Sequence, residues 1–411
     1  MKIRSSLAIL SLLCISYAIS FFHRVCPSVL APELMKDFSL DAASFSILSS
    51  ATMLGYAITQ IPSGLLSDII GGRKTLALYQ CMAGTFCILF TFCDSLFPAA
   101  SCRFFIGLAL ASNVPAYKIL AIKVPAEKYA QYCSILTGCS ALGAALAATP
   151  LVALCEITGW RMALMLAGLF TIFLGLLVIT LLPGPGQGTI PASSASDNLR
   201  HLKSGLKLVV RTKNFWLIYL WFMFMIGNMF TLLTAWWGSY LIHGNGLSPQ
   251  DAGLSMSIMS LAPLPFLLII PMLSEKIFHS RRIFLLTAAL IESMALGYIC
   301  MNHHGQLSFT ELTILGFLIS LATTCMGPLS FTMVKESVPA HALATACGFL
   351  NLSGPVVSVL LQWCVGMIVS SHSLLPPEQT WAMAFLPLLI GSIIAFISSL
   401  FMKDTFNAQL S

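Results

Sequence analysis

The chain has 411 residues, of which 57% are hydrophobic and only 9% charged, with a formal net charge of +6. Soluble domains carry about 25% charged residues, so this composition leaves too little polar surface for a water-soluble globule. The basic residues are scattered through short loops rather than gathered on one patch, which argues against a nucleic-acid partner and for a chain threaded through a bilayer.

Met1-Lys2-Ile3-Arg4 and the apolar stretch after it look like the start of a signal peptide. Apolar character continues past Ala18 through Phe21 and Phe22 to Leu30, so residues 7–31 read as an uncleaved first transmembrane helix. About 20 apolar residues cross the hydrocarbon. On that measure further spans fall near 44–66, 75–93, 96–118, 131–155 and 161–182. A second set falls near 213–241, 251–272, 283–301, 310–334, 342–370 and 380–402. Between the sets, residues 183–212 form a Pro/Gly/Ser-rich linker that ends in Arg200, Lys203, Lys207 and Arg211, an ordinary positive cytoplasmic connection. The predicted class is an all-α membrane protein with twelve transmembrane helices in two six-helix bundles, 1–182 and 213–411. In the first bundle the stretch from Gly64 to Lys74 reads as a charged, glycine-punctuated turn between two apolar runs.

Lysine and arginine set the orientation. With the N-terminus inside, Arg73, Lys74, Lys118, Lys123, Lys128, the linker cations, Lys276, Arg281, Arg282, Lys335 and Lys403 all face the cytoplasm. Lys36 and Arg161 fall outside, and only Arg24 and Arg103 fall within spans. Both termini are therefore expected in the cytoplasm. The halves also echo each other. Leu66-Ser67-Asp68 followed by Arg73-Lys74 returns as Leu273-Ser274-Glu275 followed by Arg281-Arg282, and Val124-Pro125-Ala126 returns as Val338-Pro339-Ala340. Parallel repeats of this kind place a cavity at their interface and permit rocking about it.

Most of the 13 cysteines lie inside apolar runs and read as small packing residues. No Cys-x-x-Cys or Cys/His metal spacing occurs, and His303-His304 reads as a solvated loop pair. No cofactor or metal is expected. Neither paired carboxylates nor a phosphate-binding Gly-x-x-x-x-Gly-Lys-(Ser/Thr) loop is present, which argues against an enzyme and a primary pump. A membrane sensor would need an appended soluble domain of useful size.

Gly64, Asp68, Gly71, Arg73 and Lys74 match a loop signature Gly-x-x-x-Asp-(Arg/Lys)-x-Gly-Arg-(Arg/Lys), with Ile69 and Gly72 where cations often stand. Arg103 and Gly107 match a second signature, Arg-x-x-x-Gly. On these the chain resembles the major facilitator superfamily of secondary transporters over essentially its whole length. The helix 5 signature of proton antiporters is poorly matched, since Gly138, Gly143 and Pro150 occur without a Gly-Pro pair. Phe22-His23-Arg24-Val25 with Ala31-Pro32, and the run from Arg103 through Pro115-Ala116 to Glu127-Lys128, are similar to the organic anion:cation symporter branch. The acid that branch often carries soon after Gly107 is absent from Leu108–Asn113.

The resemblance implies alternating access with helices 1, 4, 7 and 10 around the cavity. A small organic anion is the expected substrate and a proton or sodium ion the coupling partner. The protein would sit as a monomer in the lipid bilayer of the inner membrane. A charge at mid-bilayer costs at least about 2.5–3.5 kcal/mol, so Arg24 is either a substrate anchor, suited to carboxylate by its planar fork, or half of a structural pair. Arg103 is a second cation for the same role or a structural one. Asn113, Tyr117 and Asn228 are candidate polar groups of the cavity. His23 and Glu292 are candidate proton-coupling groups, each with a packing role as the alternative. Gly64, Asp68, Gly71, Arg73, Lys74 and Glu275 are expected to form a cytoplasmic charge latch. Trp236-Trp237 and Tyr240 are expected in the outer aromatic belt.

Overall fold

The computed structural model describes residues 6–124, 126–182, 209–302, 305–324, 326–339 and 342–406. The linker at 183–208 and the His303-His304 pair lie outside them. Every regular element among the described residues is helical. The chain divides into two compact units, Met1–Ala192 with Ser248–Ser257, and Ser193–Leu247 with Ile258–Ser411.

The first unit contains α1 (Ser6–Val29), the short α2 (Ala31–Asp37), α3 (Ala42–Ile69), α4 (Gly72–Phe90), α5 (Leu96–Ala109), α6 (Asn113–Lys123), α7 (Ala126–Leu146), α8 (Thr149–Thr158) and α9 (Trp160–Leu181). In the second unit α10 (Lys213–Thr231) continues through two π-helical turns, Leu232–Trp236 and Tyr240–Gly244. After α11 (Pro249–Leu261) come α12 (Phe266–Lys276), α13 (Arg282–Met301), α14 (Phe309–Thr324), α15 (Met326–Ser337), α16 (Leu343–Ser371), α17 (Pro377–Ala384) and α18 (Leu386–Phe401). Eleven helical stretches among the described residues are long and apolar enough to cross a membrane. The twelfth is α4, which begins with Arg73 and Lys74; its 19 residues reach about 28 Å at 1.5 Å per residue. Twelve spans result among the described residues, as expected, with the first part of α11, up to Ser257, belonging to the first unit.

Local chemistry sets the helix ends. Asp41 caps α3 by accepting from the Ser44 N–H at 2.9 Å. Ser308 and Glu311 form a reciprocal capping box before α14, with the Ser308 N–H donating to the Glu311 carboxylate at 2.8 Å and the Glu311 N–H to the Ser308 hydroxyl at 3.3 Å.

Three readings need correction. The Gly64–Lys74 stretch is not a long turn. Helix α3 runs through Gly64 and Asp68 to Ile69, and only Ile70-Gly71 separates it from α4. Gly71, at φ +86°, makes that sharp reversal. Several spans are also broken rods rather than continuous helices: α5 gives way to α6, α7 to α8, α11 to α12, and α17 to α18. Proline stands at or just past each of these breaks, at Pro115, Pro150, Pro263 with Pro265, and Pro387, because it removes a backbone donor and clashes with the preceding turn. Finally, Trp236 and Trp237 are fully buried rather than in an outer belt. The Trp236 indole donates to the Gln362 carbonyl at 3.2 Å and its ring lies 5.9 Å from that of Trp381.

Helices α3 and α5 of the first unit approach each other through bare glycine backbone. A Cβ added at Gly107 would lie 2.1 Å from the Thr52 carbonyl oxygen, and one at Gly55 would lie 2.3 Å from that of Phe104. Only bare glycine backbones approach this closely. At Gly64, by contrast, a Cβ would meet nothing within 4 Å. Gly107→Ala should therefore destabilise the purified protein by about 1–3 kcal/mol, while Gly64→Ala should leave the thermal midpoint nearly unchanged. Thermal unfolding of both variants in detergent measures the contrast.

Candidate functional site

The two intramembrane arginines of the first unit occupy different environments. Arg24, on α1, is 2% exposed. Its guanidinium carbon lies 4.3 Å from the Phe21 ring centroid and 4.0 Å from that of Tyr56 on α3. Such cation–π contacts offset part of the burial penalty, about 0.5–2 kcal/mol each. Arg103 is equally buried, but its fork is taken up by hydrogen bonds. Nε donates to the Thr52 hydroxyl at 3.0 Å, one terminal nitrogen to the His23 carbonyl at 2.9 Å, and the other to the Cys26 sulfur at 3.7 Å. One side chain of α5 thus ties α1 to α3. Gly107, one turn further along α5, packs on the same Thr52 that Arg103 holds, which gives the Arg-x-x-x-Gly spacing a physical meaning.

His23 is fully buried, and its Nε2 lies 2.8 Å from the Thr171 hydroxyl of α9. That hydroxyl already donates to the Ala167 carbonyl at 2.7 Å, so it must accept from His23. The imidazole therefore carries its proton on Nε2, and Nδ1 has no hydrogen-bond partner among the described residues.

Asn113 and Tyr117 lie on α6, just past the helix break. Pro115 has no N–H to offer the Ala111 carbonyl four residues back, and the Ser63 hydroxyl of α3 donates to that carbonyl instead, at 3.0 Å. Ser112 in the break lies 2.8 Å from Ser20 of α1 through their hydroxyls. Asn113 is half-buried, and its Oδ1 has no partner among the described residues. The Tyr117 hydroxyl is 2.8 Å from Thr137 of α7. Thr137 donates to the Cys133 carbonyl, so Tyr117 is the donor in the pair.

The expected latch residues form a charged cluster at one end of the first unit. Asp68 forms a salt bridge with Lys118 of α6, whose ammonium also donates to the Ser67 carbonyl at 2.8 Å. The pair is half-exposed and contributes at most about 1 kcal/mol. Arg73 donates to the Leu182 carbonyl at 3.0 Å, and Lys74 is exposed.

The second unit repeats the arrangement with different partners. Arg281 bonds Glu336 of α15 at 2.7 Å and lies 3.9 Å from Glu275 at the end of α12. Glu336 also accepts from Thr405 at 2.6 Å. Asp404 accepts from the backbone N–H groups of Arg281 at 3.2 Å and Arg282 at 3.4 Å, an anion seated on the start of α13. Burial opposes its ionisation, but the Ser280 hydroxyl and the N–H groups of Phe406, Arg281 and Arg282 outweigh it and hold the carboxyl below its ordinary range. Asn214 clasps the preceding residue, accepting from the Lys403 N–H at 2.9 Å. The sequence reading missed Glu336 and Asp404; the only available signal for Glu336 was its place just before the repeated Val338-Pro339-Ala340.

Asn228 and Glu292 were assigned separate roles, yet the fold brings them together. Both are fully buried. Asn228 Nδ2 donates to Glu292 Oε1 at 2.8 Å and to the Leu388 carbonyl of α18 at 2.9 Å. The second hydrogen bond fixes the amide orientation. Asn228 Oδ1 and Glu292 Oε2 have no partner among the described residues. No group of three or more His, Cys, Asp or Glu among the described residues is placed to hold a metal.

Asp37, the last residue of α2, accepts from the Trp160 indole at 2.8 Å and forms a salt bridge with Arg161. The Trp160 bond, helped by Arg161 and opposed by burial, holds its carboxyl below the usual range.

The family profile described as Major Facilitator Superfamily matches residues 13–245 and 228–409. The chain is 24% identical over 396 residues, 89% of its length and 88% of the relative's, to an Escherichia coli K12 protein named probable galactarate/D-glucarate transporter. It is 23% identical over 323 residues, 72% of its length and 70% of the relative's, to the gallate transporter of Pseudomonas putida. Among solved structures it superposes with a TM-score of 0.76 and 16% identity on a bacterial homologue of the human lysosomal transporter Spinster in an inward-facing, unoccupied conformation, covering 96% of this chain and 97% of the other.

Two outcomes follow from the geometry. Asn228→Leu and Glu292→Leu should each destabilise the protein by about 1–3 kcal/mol by orphaning the partner, and the double variant by less than their sum; unfolding of all four proteins closes the cycle. Because Asp37 is depressed in the folded state, its contribution is present above the ordinary carboxylate range, about 4, and is lost as pH falls through its folded value. Asp37→Asn should therefore flatten the acid limb of a thermal-midpoint profile without changing its neutral plateau shape.

Proposed function

The chain belongs to the major facilitator superfamily, and we propose that it carries a small organic anion across the inner membrane, with both termini in the cytoplasm, by alternating access coupled to a proton or sodium ion. It is a membrane transporter rather than an enzyme. The observation that carries the anion reading is Arg24, a permanent cation buried on the first helix and held against two aromatic rings. A guanidinium so placed presents a planar fork suited to carboxylate. Relatives named for the transport of galactarate, D-glucarate and gallate, all carboxylates, support the same substrate class.

In this reading the two intramembrane cations divide their labour. Arg24 binds the anion, with Asn113 and Tyr117 as polar neighbours on the broken helix. Arg103 braces α1, α3 and α5 through Thr52, His23 and Cys26. Asn228 serves Glu292 rather than substrate, since both of its amide hydrogens are engaged. His23 and Glu292 are the candidate proton-coupling groups. Each is a buried titratable side chain with one orphaned atom, and a proton arriving there would find an acceptor waiting.

The latch reading assigns the turn at Gly71, the Asp68–Lys118 pair and the Arg73 contact to holding the ends of α3, α4 and α6 in register. Gly64 offers an open surface and Lys74 an exposed charge. Glu275 and its neighbours do the same in the second unit. The two bundles on either side of the 183–212 linker would then rock as bodies.

Arg24→Ala should lower uptake of labelled sugar diacids or aromatic carboxylates into proteoliposomes at least about tenfold, the equivalent of 1.4 kcal/mol, while the protein still inserts and purifies as a folded species. Arg24→Lys should recover part of the loss. Undiminished uptake by Arg24→Ala would reassign the residue to packing.

A further inference from the structure

One thiol pair in the first unit is not explained by apolar packing. Cys93 lies in the irregular stretch between α4 and α5, and Cys102 in the second turn of α5. Their sulfurs are 3.9 Å apart. Two other buried thiols of the unit face different groups: Cys26 accepts from Arg103, and Cys87 donates to the Leu164 carbonyl at 3.3 Å. Both thiols are buried, but Phe92 and Asp94 on either side of Cys93 are exposed, so the pair lies just beneath the surface of this connection. The stretch follows the end of α4 in turn geometry, with the Cys93 N–H donating to the Phe90 carbonyl at 3.2 Å and the Cys93 thiol to the Leu89 carbonyl at 3.5 Å, and Asp94 lies 3.9 Å from Arg161. A disulfide needs sulfurs about 2.05 Å apart. Thiols already in contact, one of them on a non-helical connection, reach that separation by side-chain rotation and a small movement of the connection.

We propose that Cys93 and Cys102 form a reversible disulfide site on the outer face of the first unit, oxidised by small-molecule disulfides. The outer placement rests on the orientation adopted under the proposed function. One cysteine thiolate attacks the external disulfide, forming a mixed disulfide and expelling one thiol. The second cysteine then attacks the protein sulfur of that mixed disulfide and expels the other thiol. The two cysteines are oxidised, the external disulfide is reduced to two thiols, and the two cysteine protons end on those thiols. The new bond fastens the α4–α5 connection to α5 one residue from Arg103, and so reports directly on the brace that joins α1, α3 and α5.

Membrane vesicles of both orientations holding the full chain provide the test. They are treated with oxidised glutathione, which does not cross the bilayer, or with dipyridyl disulfide, which does. Free thiols are then blocked, and chymotryptic cleavage at Phe97, between the two cysteines, is read by mass spectrometry with and without reductant. The expected result is a pair of fragments joined through Cys93 and Cys102 when glutathione disulfide meets right-side-out vesicles. The fragments separate on reduction, and no joined pair forms in Cys93→Ser or Cys102→Ser. Joining by glutathione disulfide only in inside-out vesicles would overturn the outer placement and the orientation with it, while the pair itself would stand. Failure of both reagents to join the fragments would overturn the pair and leave the orientation untouched.

Discussion

Hydrocarbon supplies no hydrogen bonds, so every polar group of a membrane-spanning chain must be matched by the chain itself. The first unit meets this constraint where its backbone departs from a regular helix. Pro115 leaves the Ala111 carbonyl without its helical donor, and Ser63 of the neighbouring helix supplies one. Arg103 goes further: a charged side chain answers the His23 carbonyl and the Thr52 hydroxyl together. Each of these bonds joins two different helices, so the constraint that forces backbone satisfaction also fixes which helices are neighbours. Close glycine crossings such as Gly107 on Thr52 then follow, because a brace as short as an arginine side chain requires the backbones to be near.

Charge is distributed by depth. At the helix ends it is paired and partly solvated, as in Asp68 with Lys118 and Arg281 with Glu336. Deeper in the first unit it is cationic and contacted by aromatic faces or carbonyls, as at Arg24 and Arg103. Deep in the second unit it is an acid with an amide partner, Glu292 with Asn228. The two units are thus repeats in backbone but not in chemistry.

The spans and their division into two sets of six were legible because hydrophobic runs broken by charge leave few alternatives at this composition. The Asp68–Lys74 region was recognisable as a signature, but its geometry was not. The sequence does not show that helix α3 persists through Asp68, since Leu65, Leu66 and Ile69 are equally compatible with a turn. Breaks in the rods were missed because a proline in an apolar run marks a weak point without saying whether neighbours can mend it. The partners of buried polar groups were the least accessible. Arg103 and Thr52 are 51 residues apart and Asn228 and Glu292 are 64 apart, and no periodicity encodes such meetings. Trp236 and Trp237 misled for the opposite reason: aromatic residues near a span end usually mark an interface, yet here two π-helical turns rotate them into the interior.

The residues after the last helix have a consequence for biosynthesis. Asp404 seats on the first turn of α13, Thr405 completes the Glu336 contact, and Asn214 grips Lys403. These groups leave the ribosome after all six helices of the second unit have been threaded into the bilayer. Until they arrive, the start of α13 keeps bare N–H groups and Glu336 lacks one of its donors. The fastening of the second unit therefore depends on polar residues that follow its last helix in the chain.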